Sequence, residues 1–151
     1  MIAYLVRHAR AVDADYDLDD AHRWLTPAGR RCARAVGERL AALGCRPAHV
    51  ITSPLVRAVQ TAELLVAGLG SDAPVSTLAA LAPGLPPRLV EAGLVQLAGP
   101  LVVVGHEPSI TALGSHLTGG RPFPPFQVTQ VALVERGKLA WSRTPAELGV
   151  G

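Results

Sequence analysis

The stretch Leu5-Val6-Arg7-His8-Ala9-Arg10 decides the fold of this chain. It closes an apolar run that begins at Ile2 and stops abruptly at an Arg-His pair. That pattern is typical of a buried parallel strand, which presents polar side chains only at its carboxyl end. In open α/β sheets, ligands bind outside the carboxyl ends of the strands. We therefore expect Arg7 and His8 to belong to a functional site.

Two later segments repeat this arrangement with different polar residues. Residues 49–52 and 101–104 are short apolar strands, and each is followed by a proline that begins a helix. Arg57 lies in the first turn of the first of these helices, off its apolar stripe, and His106 follows the second strand. Helical side chains lean toward the helix N-terminus, so Arg57 is directed back toward the sheet.

Alternating strand and helix patterns continue through the chain and set the fold class. A further short strand is expected at residues 75–78, and a C-terminal hairpin at 128–134 and 138–142. Helices are expected at residues 27–43, 54–69, 88–98 and 108–117. The sequence thus predicts a single α/β domain over residues 1–151, a three-layer α/β/α sandwich with a mostly parallel central sheet and an antiparallel C-terminal hairpin.

Periodicity and composition also predict which segments are buried and which are exposed. The expected buried stripes are Cys32, Val36, Leu40 and Leu43 on the first helix, and Leu55, Val59, Ala62, Val66 and Leu69 on the second. The acidic segment 11–23 lacks the Gly and distal Glu of a calcium loop, and we expect it to be a solvated loop. Residues 145–151 are expected to form a loose tail.

The overall composition excludes several classes of protein. The chain has 151 residues, of which 49% are hydrophobic and 17% charged, and its net charge of +2 is not that of a nucleic-acid binder. Every apolar run is interrupted before it could span a membrane, and the N-terminal run is too short for a signal peptide. Cys32 and Cys45 form no CxxC motif, so we expect reduced thiols and a cytoplasmic location.

The polar strand ends define a candidate site for a compact dianion. If the three strands are parallel, Arg7, His8, Arg57 and His106 emerge at one edge of one sheet. Arginine offers planar donors to phosphate oxygens, and helix N-termini add backbone donors. No GxxxxGK[ST] motif is present, so the site is not a P-loop. A neutral imidazole can attack phosphorus and carry the phosphoryl group as a covalent intermediate.

Three blocks of this sequence resemble the signatures of the histidine phosphatase (phosphoglycerate mutase-like) superfamily. They are Leu-Val-Arg7-His8-Ala9, Ser53-Pro54-Leu55-Val56-Arg57-Ala58, and Val104-Gly105-His106-Glu107-Pro108, in the family's order. Leu25-Thr26-Pro27-Ala28-Gly29 also matches the entry to the family's first helix. The resemblance covers residues 3 to about 117, and the short length is similar to that of the small phosphohistidine phosphatase branch.

The resemblance implies a role for each site residue. His8 would be the nucleophile, Arg7 and Arg57 would bind the non-transferred oxygens, and His106 would donate to the phosphoryl group, with no metal and no cofactor. Two departures from the family's pattern stand out. Ala9 replaces the usual glycine, and the segment before the turn at residues 81–83 lacks the carboxylate that many relatives place there. Glu107 is either the leaving-group acid or a cap of the following helix, and both readings stay open.

The branch implies a metal-independent phosphatase that hydrolyses phosphohistidine on a protein through a covalent phosphohistidine intermediate. Little chain separates Arg57 from His106, so the site has no material for a lid and suits a phosphorylated protein partner in signal transduction, such as a histidine phosphotransfer domain. We expect a monomer that binds neither nucleic acid nor membrane. The alternative is a phosphomonoesterase or mutase acting on a small phosphorylated metabolite. A catalytically inactive phosphoprotein-binding module is disfavoured, because a binder has no need of the nucleophile.

Overall fold

The computed structural model describes residues 1–15 and 17–151. Six strands form one mixed sheet, and four α-helices accompany it. The strands are β1 (Ile2–Arg7), β2 (His49–Thr52), β3 (Val75–Thr77), β4 (Leu101–Gly105), β5 (Val131–Glu135) and β6 (Lys138–Arg143). The helices are α1 (Pro27–Ala42), α2 (Val56–Leu69), α3 (Pro87–Leu94) and α4 (Ser109–Leu117), and short 3₁₀ turns lie at Asp20–His22 and Ala79–Leu81. None of the described helices is long and apolar enough to cross a bilayer.

The sheet topology confirms the predicted α/β architecture. The strand order is β3-β2-β4-β1-β5-β6, in which β3, β2, β4 and β1 are parallel. β5 pairs antiparallel with β1 and then with β6, so the C-terminal hairpin extends the sheet at one edge as expected. The carboxyl ends of four strands therefore share one edge of the sheet.

Alternate residues of the central strands belong to two separate hydrophobic cores. Val6 and Val104 pack with α1 and α2, whereas Leu5 and Val103 pack with α3 and α4. Side chains of successive strand residues point to opposite faces, so this alternation places one helical layer on each side of the sheet. The molecule is thus a three-layer α/β/α sandwich.

α1 begins where the sequence predicts, but its buried face is different. The Thr26 side chain accepts a hydrogen bond from the Gly29 N–H at 3.0 Å, with Pro27 at the first helical position. The buried residues are Gly29, Ala33, Val36, Gly37 and Leu40. Cys32 is only half-buried and Leu43 is 50% exposed, so those two predictions were wrong. The helix turns its small residues toward α2, which draws the two helices close together.

α2 starts at Val56, two residues later than predicted. The Ser53 hydroxyl accepts the Leu55 N–H at 3.2 Å, and Leu55 is the N-cap residue. The buried face consists of Ala58, Ala62, Leu65 and Leu69 together with Arg57 and Thr61, whereas Leu55, Val59 and Val66 are half-buried. The prediction that Arg57 lies off the buried face was therefore wrong.

The C-terminal region is more ordered than predicted. The Leu148 side chain is 4% exposed and packs in the core beside α1 and α2. The Arg39 Nε–H donates to the Leu148 carbonyl at 2.8 Å, which ties this segment to α1. The prediction of a loose tail was therefore wrong. At two other boundaries, α3 ends at Leu94 rather than residue 98, and β5 begins at Val131 rather than residue 128.

Two glycines allow α1 and α2 to pack at close range. A Cβ atom on Gly68 of α2 would overlap the Arg34 carbonyl oxygen of α1, and one on Gly37 of α1 would overlap the Leu65 carbonyl oxygen of α2. Backbone atoms cannot move aside as the end of a flexible side chain can. The absence of a side chain at these positions therefore sets the distance between the helices.

We expect Gly68→Ala to destabilise the fold by about 1–2 kcal/mol. Overpacking costs about 1–3 kcal/mol, which here exceeds the gain in helix propensity of up to about 1 kcal/mol. Urea unfolding measures the effect. Ala67→Ser, which also adds one atom but at an exposed position, is the matched control. A Gly68→Ala protein as stable as the control would show that the close helix approach is not a constraint.

Candidate active site

The parallel pairing of β1 with β4 brings the first and third sequence blocks together. Arg7 lies opposite Gly105 in the register, and the His8 N–H continues the ladder by donating to the Gly105 carbonyl at 3.0 Å. The next residues of the two strands are then His8 and His106, whose ring centroids lie 5.1 Å apart. α2 adds Arg57 from the side. The structure thus gathers Arg7, His8, Arg57 and His106 into one cluster, which we call the four-residue site.

The His8 ring is held in one tautomer with its reactive nitrogen free. Its Nδ1 lies 2.7 Å from the Ala9 carbonyl oxygen. A carbonyl only accepts, so Nδ1 carries the proton and Nε2 carries the lone pair. The Arg57 Nε–H donates to that Nε2 at a long 3.4 Å. Nε2 therefore carries the lone pair of a neutral imidazole, with a guanidinium beside it.

Ala9, which replaces the family's glycine, fits its position without strain. Its N–H donates to the Thr61 hydroxyl at 3.0 Å, and that hydroxyl donates to the Arg57 carbonyl at 2.7 Å. Its methyl group is fully buried with Leu25 and Ala33 in a small apolar cluster. The methyl therefore contributes to packing, and Thr61 links the nucleophile's strand to the helix that carries Arg57.

Arg7 is oriented by the loop that precedes β5. Its Nη1 donates to the Phe126 carbonyl at 2.9 Å, while its buried Nε has no partner among the described residues. The backbone beneath it is fixed as well, because the Thr129 N–H donates to both the Arg7 and His8 carbonyls at 3.0 and 3.2 Å. Arg7 therefore has a cationic donor free for an anion.

Arg57 is buried and is held by a residue outside the predicted site. Only 5% of its surface is exposed. Nη1 donates to the Asp20 carbonyl at 2.6 Å, and Nη2 donates to Asp20 Oδ2 at 3.1 Å. Asp20 also accepts from Arg23 Nη1 at 2.9 Å through Oδ1. Burial opposes ionisation of this carboxyl, but the hydrogen bonds from Arg23 and Arg57 outweigh it and lower the pKa of Asp20.

Asp20 corrects the expectation that the acidic segment is only a solvated loop. The 3₁₀ turn at residues 20–22 brings this one carboxylate to the sheet edge, whereas Asp13, Asp15, Asp17 and Asp19 remain exposed. Five aspartates in eight residues give no periodic pattern that would mark one of them. The only local signal is Arg23, three residues beyond Asp20, at the spacing of a pair within one turn. Among the described residues, no group of three or more His, Cys, Asp or Glu side chains is placed to bind a metal ion.

His106 is buried and faces His8 across the site. Its Nε2 lies 2.7 Å from the Ser53 hydroxyl, and its Nδ1 is buried without a partner in the part of the chain that the structure describes. Ser53 was predicted only as a helix cap. Besides the lone pair that accepts the Leu55 N–H, the Ser53 hydroxyl has a second lone pair and one proton, so it can either accept from His106 Nε2 or donate to it; when it donates, the His106 proton lies on Nδ1. His106 then presents an unused donor to the site.

Burial keeps both histidines neutral. For His8, burial together with the charges of Arg57 and Arg7 outweighs the opposing effect of the Ala9 carbonyl and lowers the pKa to about 4. For His106, burial, His8 and Arg57 lower the pKa to about 3. At neutral pH the site therefore combines two uncharged imidazoles with two guanidinium groups, an arrangement suited to a compact dianion.

The Glu107 carboxylate makes structural hydrogen bonds to the first turn of α4 and to the loop before β5. Its Oε1 accepts from the Thr111 N–H at 3.2 Å and from the Thr111 hydroxyl at 2.6 Å, both in the first turn of α4. Its Oε2 accepts from the Phe126 N–H at 3.4 Å. The carboxylate thus joins α4 to the loop that orients Arg7. The N-cap residue of α4 is Pro108 and not Glu107, although the Glu107 carboxylate binds the first turn of α4 through Thr111; a proton-transfer role for Glu107 stays a prediction.

Comparison with known proteins identifies relatives of this chain. Residues 3–82 match the family model described as histidine phosphatase superfamily (branch 1). An uncharacterised protein of Picosynechococcus sp. is 41% identical over 120 residues, which are 73% of this chain and 68% of that protein. The mitochondrial serine/threonine-protein phosphatase Pgam5 of Drosophila willistoni is 40% identical over 83 residues, 54% of this chain and 28% of that protein. The chain therefore spans about a quarter of the length of that phosphatase.

One solved structure resembles this chain over nearly its full length. The protein histidine phosphatase SixA, solved in complex with tungstate, superposes with a TM-score of 0.90 at 27% sequence identity. The match covers 98% of this chain and 99% of that one. The two chains thus share the same architecture with no large insertion in either.

We expect the fold to lose stability as the pH falls from about 6.5 toward 4. The unfolded chain protonates His8 and His106 near the usual pKa of 6.5, whereas the folded chain does so only near 4 and 3. The unfolded state therefore binds more protons in this window, and each such histidine removes about 1.4 kcal/mol of stability per pH unit. Above about pH 6.5 this stability is fully present.

Urea unfolding at pH 4.5, 5.5 and 7 tests this dependence. The His8→Asn/His106→Asn double variant is the comparison, since it lacks both groups, and we expect a flatter pH dependence for it. If the stability of the wild type and of the double variant depended on pH in the same way, the loss of stability at low pH would not come from His8 and His106.

Proposed function

The chain belongs to the histidine phosphatase superfamily, whose members are phosphatases, and from this premise we propose that it hydrolyses phosphohistidine on a protein substrate through a phosphorylated His8. The phosphoryl group would lie between His8 Nε2, the two arginines and the free Nδ1 of His106. Charge develops on its non-bridging oxygens during transfer, and these donors stabilise that charge.

The state of the carboxylates supports this substrate class. Asp20 is paired with Arg57 and Arg23 and has a lowered pKa, and Glu107 accepts three hydrogen bonds. Asp20 is therefore an ionised acceptor and a poor proton donor, and both Glu107 oxygens are already engaged in structural hydrogen bonds. Alkyl phosphates must expel a basic alkoxide, which calls for an acid. A phosphohistidine whose other ring nitrogen carries a proton leaves as a neutral imidazole and needs none.

In both steps of the proposed reaction the leaving group is an imidazole, so neither step needs a proton donor. In the first step, the lone pair of His8 Nε2 attacks phosphorus, and the bond to the substrate nitrogen breaks with its electron pair on that nitrogen. In the second step, water attacks phosphorus and the bond to His8 Nε2 breaks with its electron pair on that nitrogen, while the protons of the water stay on the oxygens of the phosphate product. His8 then leaves as a neutral imidazole, because its Nδ1 keeps a proton against the Ala9 carbonyl. Neither transfer uses a metal ion.

The shape of the site favours a phosphate presented by another protein. Between Arg57 and His106 the chain forms α2, β3, a 3₁₀ turn, α3 and β4, all of them parts of the sandwich itself. That segment adds no lid to enclose a small metabolite. The closely similar chain length and coverage of SixA support the same substrate class, a phosphorylated protein such as a histidine phosphotransfer domain.

We expect a covalent phosphoenzyme on His8. Wild-type protein quenched during turnover should carry acid-labile, base-stable phosphate, detected by mass spectrometry after mild digestion. His8→Ala should carry none, and His22→Ala, which removes an exposed histidine outside the site, should retain it. Phosphoserine or no covalent phosphate in the wild type would contradict this mechanism.

We also expect a strong preference for P–N over P–O bonds. Steady-state kcat/KM for a phosphohistidine peptide should exceed that for phosphoserine peptides and sugar phosphates by at least about a hundredfold, since only the esters require an acid. Phosphoserine is the most informative ester to compare, because the relative Pgam5 is a serine/threonine-protein phosphatase. A higher kcat/KM for any of these esters would favour the phosphomonoesterase alternative.

A further inference from the structure

Asp20 makes more contacts to the four-residue site than any other acid that the structure describes. Its carbonyl and its carboxylate bind the two terminal nitrogens of the same guanidinium, at 2.6 and 3.1 Å. The carboxylate is itself fixed, because Arg23 Nη1 binds Oδ1 at 2.9 Å and Arg23 Nε binds the Val12 carbonyl at 2.7 Å. Arg23 thus fixes the Asp20 carboxylate, and Asp20 in turn fixes the guanidinium of Arg57.

These contacts determine which Arg57 donors remain for a ligand. A guanidinium has five N–H groups. In this site Nε–H is directed at His8, and one N–H of each terminal nitrogen is bound by Asp20. One N–H on each terminal nitrogen stays unused. Because Asp20 binds both terminal nitrogens, it fixes the plane of the guanidinium. The two unused N–H groups and the Nε–H then keep a constant position relative to His8 Nε2.

Burial explains why such a support matters for Arg57. Its side chain is almost entirely removed from water, whereas the Asp20 side chain is 60% exposed. Without Asp20 the terminal nitrogens would lose a carboxylate acceptor in a region where few others exist. The guanidinium would then be held only at Nη1, by the Asp20 main-chain carbonyl, and could turn about that single contact. A less fixed guanidinium is a poorer partner for a reacting group, because catalysis depends on precise orientation.

We propose that Asp20 is a positioning residue for phosphoryl transfer, one that acts through Arg57 by fixing the plane of its guanidinium beside His8 Nε2. The inference rests on the proposed function only in taking the bound group to be a phosphoryl group. It assigns Asp20, and not the other aspartates of the acidic segment, a part in the reaction that is distinct from proton donation.

A charge-matched pair of variants isolates this role. Asp20→Asn and Asp20→Ala both remove the negative charge and both keep the main-chain carbonyl that binds Arg57 Nη1, but only Asn has a side-chain oxygen to offer Arg57 Nη2, with its NH2 then on the Arg23 side. Orthovanadate, which mimics the phosphoryl group in transfer, is the ligand, and its affinity is measured by calorimetry. We expect Asp20→Asn to bind vanadate about fivefold more tightly than Asp20→Ala. In the Arg57→Ala background the two Asp20 variants should bind it within twofold of each other.

Two further measurements separate positioning from structure. The Arg57 Nε–H resonance in ¹H–¹⁵N spectra should persist in Asp20→Asn and broaden in Asp20→Ala, with equal melting temperatures for both. Asp13→Ala, which removes an exposed carboxylate of the same segment, should bind vanadate like the wild type.

Equal vanadate affinity of the two Asp20 variants, or an unchanged difference between them without Arg57, would overturn the proposal. The measurement requires no turnover. A chain that proved to prefer phosphate esters would contradict the proposed function and leave this test intact.

Discussion

The parallel register of β1 and β4 is the constraint on which the rest of the molecule depends. Because Arg7 lies opposite Gly105, the two strands end at the same level and their next residues, His8 and His106, face each other. A shift of one residue in this pairing would turn every side chain of β1 to the other face. β1 is also paired on its other side with β5, so the register is fixed from both sides.

The site built on this edge carries more positive than negative charge. Two guanidinium groups lie next to two imidazoles that burial keeps uncharged, and buried nitrogens of Arg7 and His106 have no partner among the described residues. Asp20 is the carboxylate that contacts this cluster in the described chain, and it is largely exposed at the rim. The phosphoryl dianion of the proposed reaction would supply negative charge here and would give the unpartnered Arg7 and His106 nitrogens an acceptor.

The sequence predicted the elements that depend on local patterns, and it failed where distant segments meet. Strand ends, the Thr26 cap and the grouping of Arg7, His8, Arg57 and His106 follow from apolar runs, proline positions and right-handed crossovers. The contact of Asp20 with Arg57 joins residues 37 positions apart, and no periodic pattern in the sequence predicts it. The burial of Leu148 depends in the same way on Arg39 of α1. The buried face of α1 was predicted wrongly, because its glycine and alanine residues face the neighbouring helix and the larger Cys32 and Leu43 do not.

The division of each central strand between two cores has a consequence for how such a protein can evolve. Leu5 and Val6 are neighbours in the chain, yet they belong to different hydrophobic layers separated by the sheet. Substitutions in distant, unconnected packing environments combine nearly additively. One helical layer can therefore drift in sequence, or accept a new binding surface, without forcing compensating changes in the other. The sheet edge that carries the four-residue site is supported by both layers, so a change confined to one layer leaves half of its support in place.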